Sequence, residues 1–314
     1  MNIKSILRSI RLLTLLIGNM MMAGCSNSDK PAYLEPHLIT TEATHITRTE
    51  ATLNGSATIE GETEMPKLLF RYGTSESMDL NTSEVHAQGA DVSLVLTGLK
   101  AGTTYYYMLQ GNNGRTTTTS NMMSFTTLPN MSPKLTSATL LSHGPMSAFV
   151  SYEITDDGGE PMTETGCYVY LTGEPENKQK CIVENFDGKE GKIKLRIGNL
   201  ERNAHYEFQP FARNTVGETI GTAIKYDTSD AITLNETGEL TQLMGNHLYD
   251  YTQLTIAGTL NGEDLSCLRM MMGRDNNNAS TPGKLSDIVL TDVHLAAGGM
   301  VGPYHHEAAE NQIV

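Results

Sequence analysis

The stretch 99-LKAGTTY-105 is repeated in degenerate form as 200-LERNAHY-206. The interpretation of the rest of the chain depends on this repeat. In both stretches a leucine precedes a tyrosine by six positions, and the two copies start 101 residues apart. A period of roughly 100 residues matches the length of one small domain built from two packed β-sheets. The repeat therefore predicts two successive copies of one domain.

Hydrophobic side chains around both copies alternate with polar ones, as in strands that bury one face. Gly-rich and Asn-rich segments separate these runs and predict turns. We therefore expect two β-sandwiches, at 36–128 and 132–229, with the LPNMSP segment as the linker between them. The alternating sets that support this prediction are Leu68, Phe70 and Tyr72, then Val92, Leu94 and Leu96, then Val150, Tyr152 and Ile154, then Ile193, Leu195 and Ile197.

The repeated Leu-to-Tyr frame resembles the corner between strands E and F of fibronectin type III domains. The segment FARNTVGET at 211–219 is similar to that family's passage from strand F to strand G. The resemblance implies that Tyr105 and Tyr206 are structural, with buried rings whose hydroxyls bond to the backbone. The chain departs from the family in having no tryptophan, which many members bury on strand B.

The character of the sequence changes after the second copy, in the region 235–314. Short helical and strand-like patterns alternate there, and the segment 284-KLSDIVLTDVHL-295 resembles one unit of a leucine-rich repeat. The resemblance extends to leucine-rich-repeat surface proteins of Bacteroidetes, through Asn261-Gly262 with Asp264 and Gly298-Gly299 with Tyr304. The predicted fold is therefore mainly β, with two tandem fibronectin type III-like β-sandwiches followed by a short, partial α/β leucine-rich-repeat-like region.

The amino terminus has the layout of an export signal. Lys4, Arg8 and Arg11 precede a short apolar run that ends near Met22, too short to span a bilayer. The sequence Met22-Ala23-Gly24-Cys25 resembles a bacterial lipobox, in which the cysteine thiol takes the lipid. The resemblance implies a signal peptide at 1–24, lipidation of Cys25, a tether at 25–35 and an outer-membrane lipoprotein exposed at the cell surface. An ordinary cleaved signal, followed by a cysteine that takes no lipid, is the alternative.

The other three cysteines leave the redox state open. Cys167 and Cys181 are 14 residues apart, which suits neighbouring strands, so an exported chain could bridge them. Two free, half-buried thiols are an equally good interpretation, and Cys267 is left over as a core residue. The spacings do not match a zinc site, so we expect no metal and no cofactor. The acidic DDGGE segment at 156–160 lacks the ligand spacing of a calcium loop and predicts a hairpin turn.

The net charge and the absence of catalytic motifs exclude several classes of function. The formal net charge of -14 disfavours nucleic acid as a partner, because an acidic surface repels phosphates. We find no phosphate-binding loop, nucleophile elbow or zinc-protease motif, and we predict no catalytic residues. The favoured hypothesis is a surface-displayed binding or adhesion lipoprotein whose ligand is an extracellular protein or glycan. The alternatives are a spacer or a truncated fragment of a longer leucine-rich-repeat surface protein and, third, a hydrolase accessory subunit.

Overall fold

The structure is a computed structural model that describes residues 35–60, 65–77, 81–88, 90–301 and 306–307. The chain divides into two compact units, one within 1–128 and the other within 129–314. Each unit is built mainly from β-strands that form facing sheets around a buried core. The prediction of a mainly β fold with sandwich-like sheets is confirmed. None of the helices in the described ranges is long and apolar enough to cross a bilayer.

The first unit is a sandwich of two antiparallel sheets. One sheet has the strand order β1-β2-β5, and the other has the order β4-β3-β6-β7, with β8 also paired to β6. The strands are β1 (His37–Thr44), β2 (Ala51–Thr58), β3 (Lys67–Gly73), β4 (Asn81–Val85), β5 (Asp91–Leu96), β6 (Thr104–Asn112), β7 (Thr117–Thr119) and β8 (Met123–Thr126).

Period-two alternation explains the core of this first sandwich. Alternate side chains of β2, β3 and β6 point between the sheets, where Leu53, Phe70, Tyr107 and Leu109 are fully buried. Residues between them face outward and keep partial exposure, which is the pattern of strands with one solvated face.

The second unit begins with a similar pair of sheets. In one sheet β11 lies between β14 and β10, and β9 also pairs with β11. In the other sheet β12 and β15 are central, flanked by β13, β16 and β17. The strands are β9 (Lys134–Leu135), β10 (Thr139–His143), β11 (Ala148–Asp156), β12 (Met162–Leu171), β13 (Gln179–Ile182), β14 (Gly191–Ile197), β15 (His205–Asn214), β16 (Glu218–Ile220) and β17 (Ile224–Asp227). A 3-10 turn at Pro175–Asn177 leads from β12 into β13.

The C-terminal segment continues the first of these two sheets. Strand β18 pairs with β10, and β18, β19 and β20 then run parallel to one another. Parallel strands need crossover connections, and helices lie in both of them. The elements are β18 (Ala231–Leu234), α1 (Leu240–Met244), a 3-10 turn (Gly245–His247), β19 (Gln253–Leu260), α2 (Gly262–Met271), β20 (Asp287–Leu295), β21 (Met300–Val301) and β22 (His306–Glu307).

The junction produces one extended sheet with the order β14-β11-β10-β18-β19-β20. The region predicted as 235–314 therefore lies in the same compact unit as the second sandwich. Its hydrophobic core includes Phe149, which projects from β11 away from the sandwich interior. We call this cluster the joint core. Its buried members are Phe149, Ile232, Leu234, Leu240, Leu243, Met244, Tyr251, Leu254, Ile256, Leu260, Cys267, Leu268, Met271 and Leu285.

Candidate interaction surface

Both tyrosines of the repeated frame lie at equivalent corners of their sandwiches. The Tyr105 hydroxyl accepts a hydrogen bond from the Lys100 backbone N–H at 2.9 Å. The Tyr206 hydroxyl accepts one from the Glu201 backbone N–H at 3.1 Å. Both rings are buried, and each joins the hydrophobic core of its own sandwich. The arrangement fixes the loop before strand β6 or β15.

A threonine completes each corner, and the Leu-to-Tyr frame did not predict it. Thr127 donates its hydroxyl hydrogen to the Lys100 carbonyl at 2.6 Å and accepts from the Thr103 N–H. Thr228 makes the matching bond to the Glu201 carbonyl at 2.8 Å. Thr127 and Thr228 are also 101 residues apart, so extending the repeat beyond the tyrosines would have found them.

Removing either corner hydroxyl tests these roles. We expect Tyr105→Phe and Tyr206→Phe each to lower the free energy of unfolding of their own unit by about 1–2 kcal/mol, because a partly buried N–H loses its acceptor. Urea denaturation of each variant measures the effect. Tyr106→Phe, on the opposite face of β6, serves as the control and should change stability by less than about 0.5 kcal/mol. Equal effects of the three substitutions would contradict the corner role.

The structure places Cys167 and Cys181 on neighbouring antiparallel strands, directly opposite each other. Neither is bridged, and Cys267 is also a free, buried thiol. Burial raises the pKa of the Cys167 thiol to about 12 and also raises the pKa of Cys181, which keeps both groups protonated near neutral pH. Cys25, the predicted lipidation site, lies outside the described residues.

A cavity of about 450 Å³ opens beside this cysteine pair. It lies between the edges of the two sheets of the second sandwich, where β13 and β14 face each other. Most of its lining is polar, with Glu174, Asn177, Cys181, Arg196 and Glu201 among the contributors.

The DDGGE segment connects β11 and β12, which lie in different sheets, so the prediction of a hairpin turn is wrong and the segment is a turn between the two sheets. Its first two carboxylates, Asp156 and Asp157, lie with Glu190 such that one oxygen of each falls within 4.8 Å of the others. Backbone contacts and one ion pair account for this cluster, and in the ion pair the Lys134 ammonium lies 3.4 Å from Asp156. The Gly158 and Gly159 N–H groups donate to Asp156 and Asp157, and Glu190 accepts from the Asp157 N–H at 2.6 Å. The carboxylates therefore stabilise a turn that contains two residues of positive φ.

Asp264 organises the start of the C-terminal segment. This carboxylate is 1% exposed and accepts three backbone hydrogen bonds, from Gly238 at 2.7 Å, from Asn261 at 3.0 Å and from Leu240 at 3.0 Å. Asn261 caps α2 and accepts in turn from the N–H groups of Glu263 and Asp264, which completes a capping box. One side chain thus joins the first turn of α2 to the loop that enters α1.

Side chains from the second sandwich hold α1 in place. Arg196, on β14, donates its Nε hydrogen to the Gln242 carbonyl at 2.6 Å. The Ser147 hydroxyl donates to the Leu243 carbonyl, and the Ser142 hydroxyl donates to Glu239. The C-terminal segment is therefore attached to the sandwich by polar contacts as well as by the joint core.

Strand β20 forms one edge of the extended sheet. Among the described strands it pairs only with β19, so its other side presents backbone donors and acceptors. Leu290 is 54% exposed, whereas its register partner Ile256 on β19 is 0% exposed. Val289, on the opposite face of the strand, is also exposed. This β20 edge combines unpaired backbone with apolar side chains and is the strongest candidate interaction surface in the described residues.

Comparisons with known proteins concern the fold. No protein-family model matches the chain, and no curated protein matches it. Among solved structures it is similar to a segment of two fibronectin type III domains from chicken tenascin, at 20% identity over 61% of this chain and 99% of that one, with a TM-score of 0.32.

Two further similarities cover different shares of the chain. The FN1–FN3 domains of chicken CNTN1 share 14% identity over 62% of this chain and 68% of that one, with a TM-score of 0.26. The sensor domain of the anti-sigma factor RsgI4 from Pseudobacteroides cellulosolvens shares 22% identity over 32% of this chain and 98% of that one, with a TM-score of 0.25. Both chicken structures are fibronectin type III segments.

Proposed function

We propose that this chain is a surface-displayed binding or adhesion lipoprotein of a bacterial cell envelope, held by a lipid on Cys25 and without catalytic activity of its own. The observation that carries the binding role is the β20 edge, where an apolar side chain on the core-facing side of a strand remains exposed. The lipobox-like sequence ending at Cys25 supports the anchor. Several fatty chains on one cysteine give durable membrane attachment, whereas a single chain gives only marginal binding.

The ligand that suits the β20 edge best is an extended protein segment. The edge offers a strand of nine residues, with Val289 and Leu290 on its two faces. A partner strand would continue the ladder through backbone hydrogen bonds, and alternating apolar side chains would cover Leu290. A glycan gains little from such an edge, because it has no strand to pair with it.

A spacer role is the second candidate, favoured by the parallel order of β18, β19 and β20. In this interpretation the C-terminal segment is leucine-rich-repeat-like and β18 is the first strand of its parallel array. The second sandwich covers that strand, because β18 pairs with β10. Leu285 is buried in the joint core, while Ile288, Val293 and Leu295 pack against it. The β20 edge would then receive further repeat units rather than a separate ligand.

The anchor is tested with metabolic labelling of the chain in a bacterial host. Growth with an alkyne analogue of palmitate should label the wild-type protein and leave it in the membrane fraction. Cys25→Ser should abolish the label and release the protein, while Cys267→Ser should leave labelling unchanged. An unlabelled wild-type protein, or label that persists in Cys25→Ser, would overturn the proposed anchor.

The binding role is tested on the processed chain, with panels of immobilised extracellular proteins and of glycans. We expect a protein ligand whose affinity falls at least about tenfold in Leu290→Asp, because the substitution places a charge where an apolar contact forms. Val95→Asp, at an exposed valine of the first sandwich, is the matched control. Glycan binding alone, or protein binding that Leu290→Asp leaves unchanged, would contradict the assignment to the β20 edge. Absence of binding on both panels would favour the spacer.

A further inference from the structure

We propose that Cys167 and Cys181 form a reversible disulfide that fastens β13 to β12 in the second sandwich. This modification concerns the stability of the unit and does not depend on the proposed anchor or ligand. The Cα register pairs the two residues directly across the antiparallel strands, which points their side chains to the same face. Cys167 is fully buried in the sandwich core, and Cys181 packs against that core.

The local packing allows the two sulfur atoms to approach. Directly opposed residues have Cβ atoms roughly 4.5–5.5 Å apart, and disulfides need about 3.5–4.5 Å, so an adjustment of about one ångström suffices. Strand β13 can move that far because, among the described strands, it pairs only with β12. Gly166 already permits a close approach, since a Cβ there would lie 2.1 Å from the Cys181 carbonyl oxygen.

The surroundings of the two thiols determine which of them reacts first. Cys181 is half-buried and lines the cavity between β13 and β14, so a small disulfide reagent reaches it first. Its sulfur lies 3.6 Å from the Arg196 carbonyl oxygen across the sandwich, which positions it at the inner wall of that cavity. Cys167 lies behind it, enclosed by the core. Because burial raises the pKa of both thiols, the reaction should be slow, although it should run to completion when oxidant is in excess.

The chemistry is thiol–disulfide exchange with a glutathione-type disulfide. The Cys181 thiolate attacks one sulfur of the reagent, the reagent's S–S bond breaks, and one glutathione thiolate leaves. The Cys167 thiolate then attacks the Cys181 sulfur and releases the second glutathione. The two protons lost by the protein thiols are taken up by the two departing thiolates. The protein dithiol is oxidised, and one reagent disulfide is reduced.

The bond would change the behaviour of β13 in particular. The strand is short and lies at a sheet edge beside the cavity, so its opening requires breaking few backbone hydrogen bonds. A covalent link to the centre of the sheet should prevent that opening. It should also raise the melting temperature of the unit, by roughly 5–10 °C, because the closed loop restricts the unfolded chain.

The test compares the reduced processed chain with the same protein after incubation with oxidised glutathione. We expect peptide mapping to recover a peptide pair linked through Cys167 and Cys181, and we expect a reducing agent to reverse the melting-temperature rise. Cys181→Ser should abolish both the linked pair and the rise, while Cys267→Ser should keep both. Cys181 is only half-buried, so its serine variant should fold even where Cys167→Ser does not. The proposal would be overturned if the folded wild-type protein yielded no linked pair after incubation with oxidised glutathione. An equal rise in the melting temperature of Cys181→Ser would overturn it as well.

Discussion

Asp264→Ala is expected to lower the free energy of unfolding of the 129–314 unit by about 3–5 kcal/mol. The substitution leaves three backbone N–H groups without their acceptor, and each unsatisfied buried donor costs about 1–3 kcal/mol. Those donors belong to Gly238, Leu240 and Asn261, so the loop before α1 and the first turn of α2 both lose their fixed geometry. Relaxation and water entry keep the total below the sum of three full penalties.

Two companion variants separate this role from a general effect of charge at the start of a helix. Glu263→Ala removes an exposed carboxylate from the same first turn and should cost no more than about 1 kcal/mol. Asp264→Asn keeps one acceptor oxygen but turns an amide group toward backbone donors, so it should fall between the other two. Urea denaturation followed by circular dichroism measures all three. Similar losses of unfolding free energy for Glu263→Ala and Asp264→Ala would contradict the role of Asp264 as the shared acceptor of three backbone N–H groups.

The sandwich cores could be predicted from sequence because alternation maps directly onto strand faces. Leu68 and Phe70 share a parity in the sequence, and both are buried in the first sandwich. The same holds for Val150, Tyr152 and Ile154 in the second. Local period-two patterns need no knowledge of the partner strand, which is why they are readable from sequence alone.

The joint core could not be predicted in the same way, because it depends on which elements meet. Phe149 lies between inward-facing Ala148 and Val150, so alternation alone places it on the solvent side of β11. Its burial follows from the docking of the C-terminal segment on this face of β11, which local sequence does not specify. A signal was nevertheless present, since the three consecutive apolar residues 148-AFV-150 interrupt the alternation expected of a strand with one solvated face. The contact of Asp264 with Gly238 is likewise non-local, because the two residues are 26 positions apart in the sequence.

Phe149→Ala should be about as damaging as the loss of Asp264, lowering the free energy of unfolding by about 3–5 kcal/mol. Truncation of a buried aromatic ring removes its transfer free energy and leaves a cavity that the surroundings fill only in part. The ring belongs to the joint core, and the Lys194 ammonium lies 5.1 Å from its centroid. Val216→Ala, at an exposed valine of the same unit, should change stability by less than about 0.5 kcal/mol.

Amide hydrogen exchange in Phe149→Ala tests whether the second sandwich and the C-terminal segment unfold together. Phe149 is part of β11, whose other face carries the sandwich core, so both cores depend on the position of one strand. We expect amide hydrogen exchange to quicken by a similar factor in β14 and in β19, since one extended sheet contains both. Faster exchange in β19 with unchanged protection in β14 would show that the C-terminal segment opens alone. In that case the shared sheet would not couple the two parts, and the 129–314 unit would consist of two separately stable pieces.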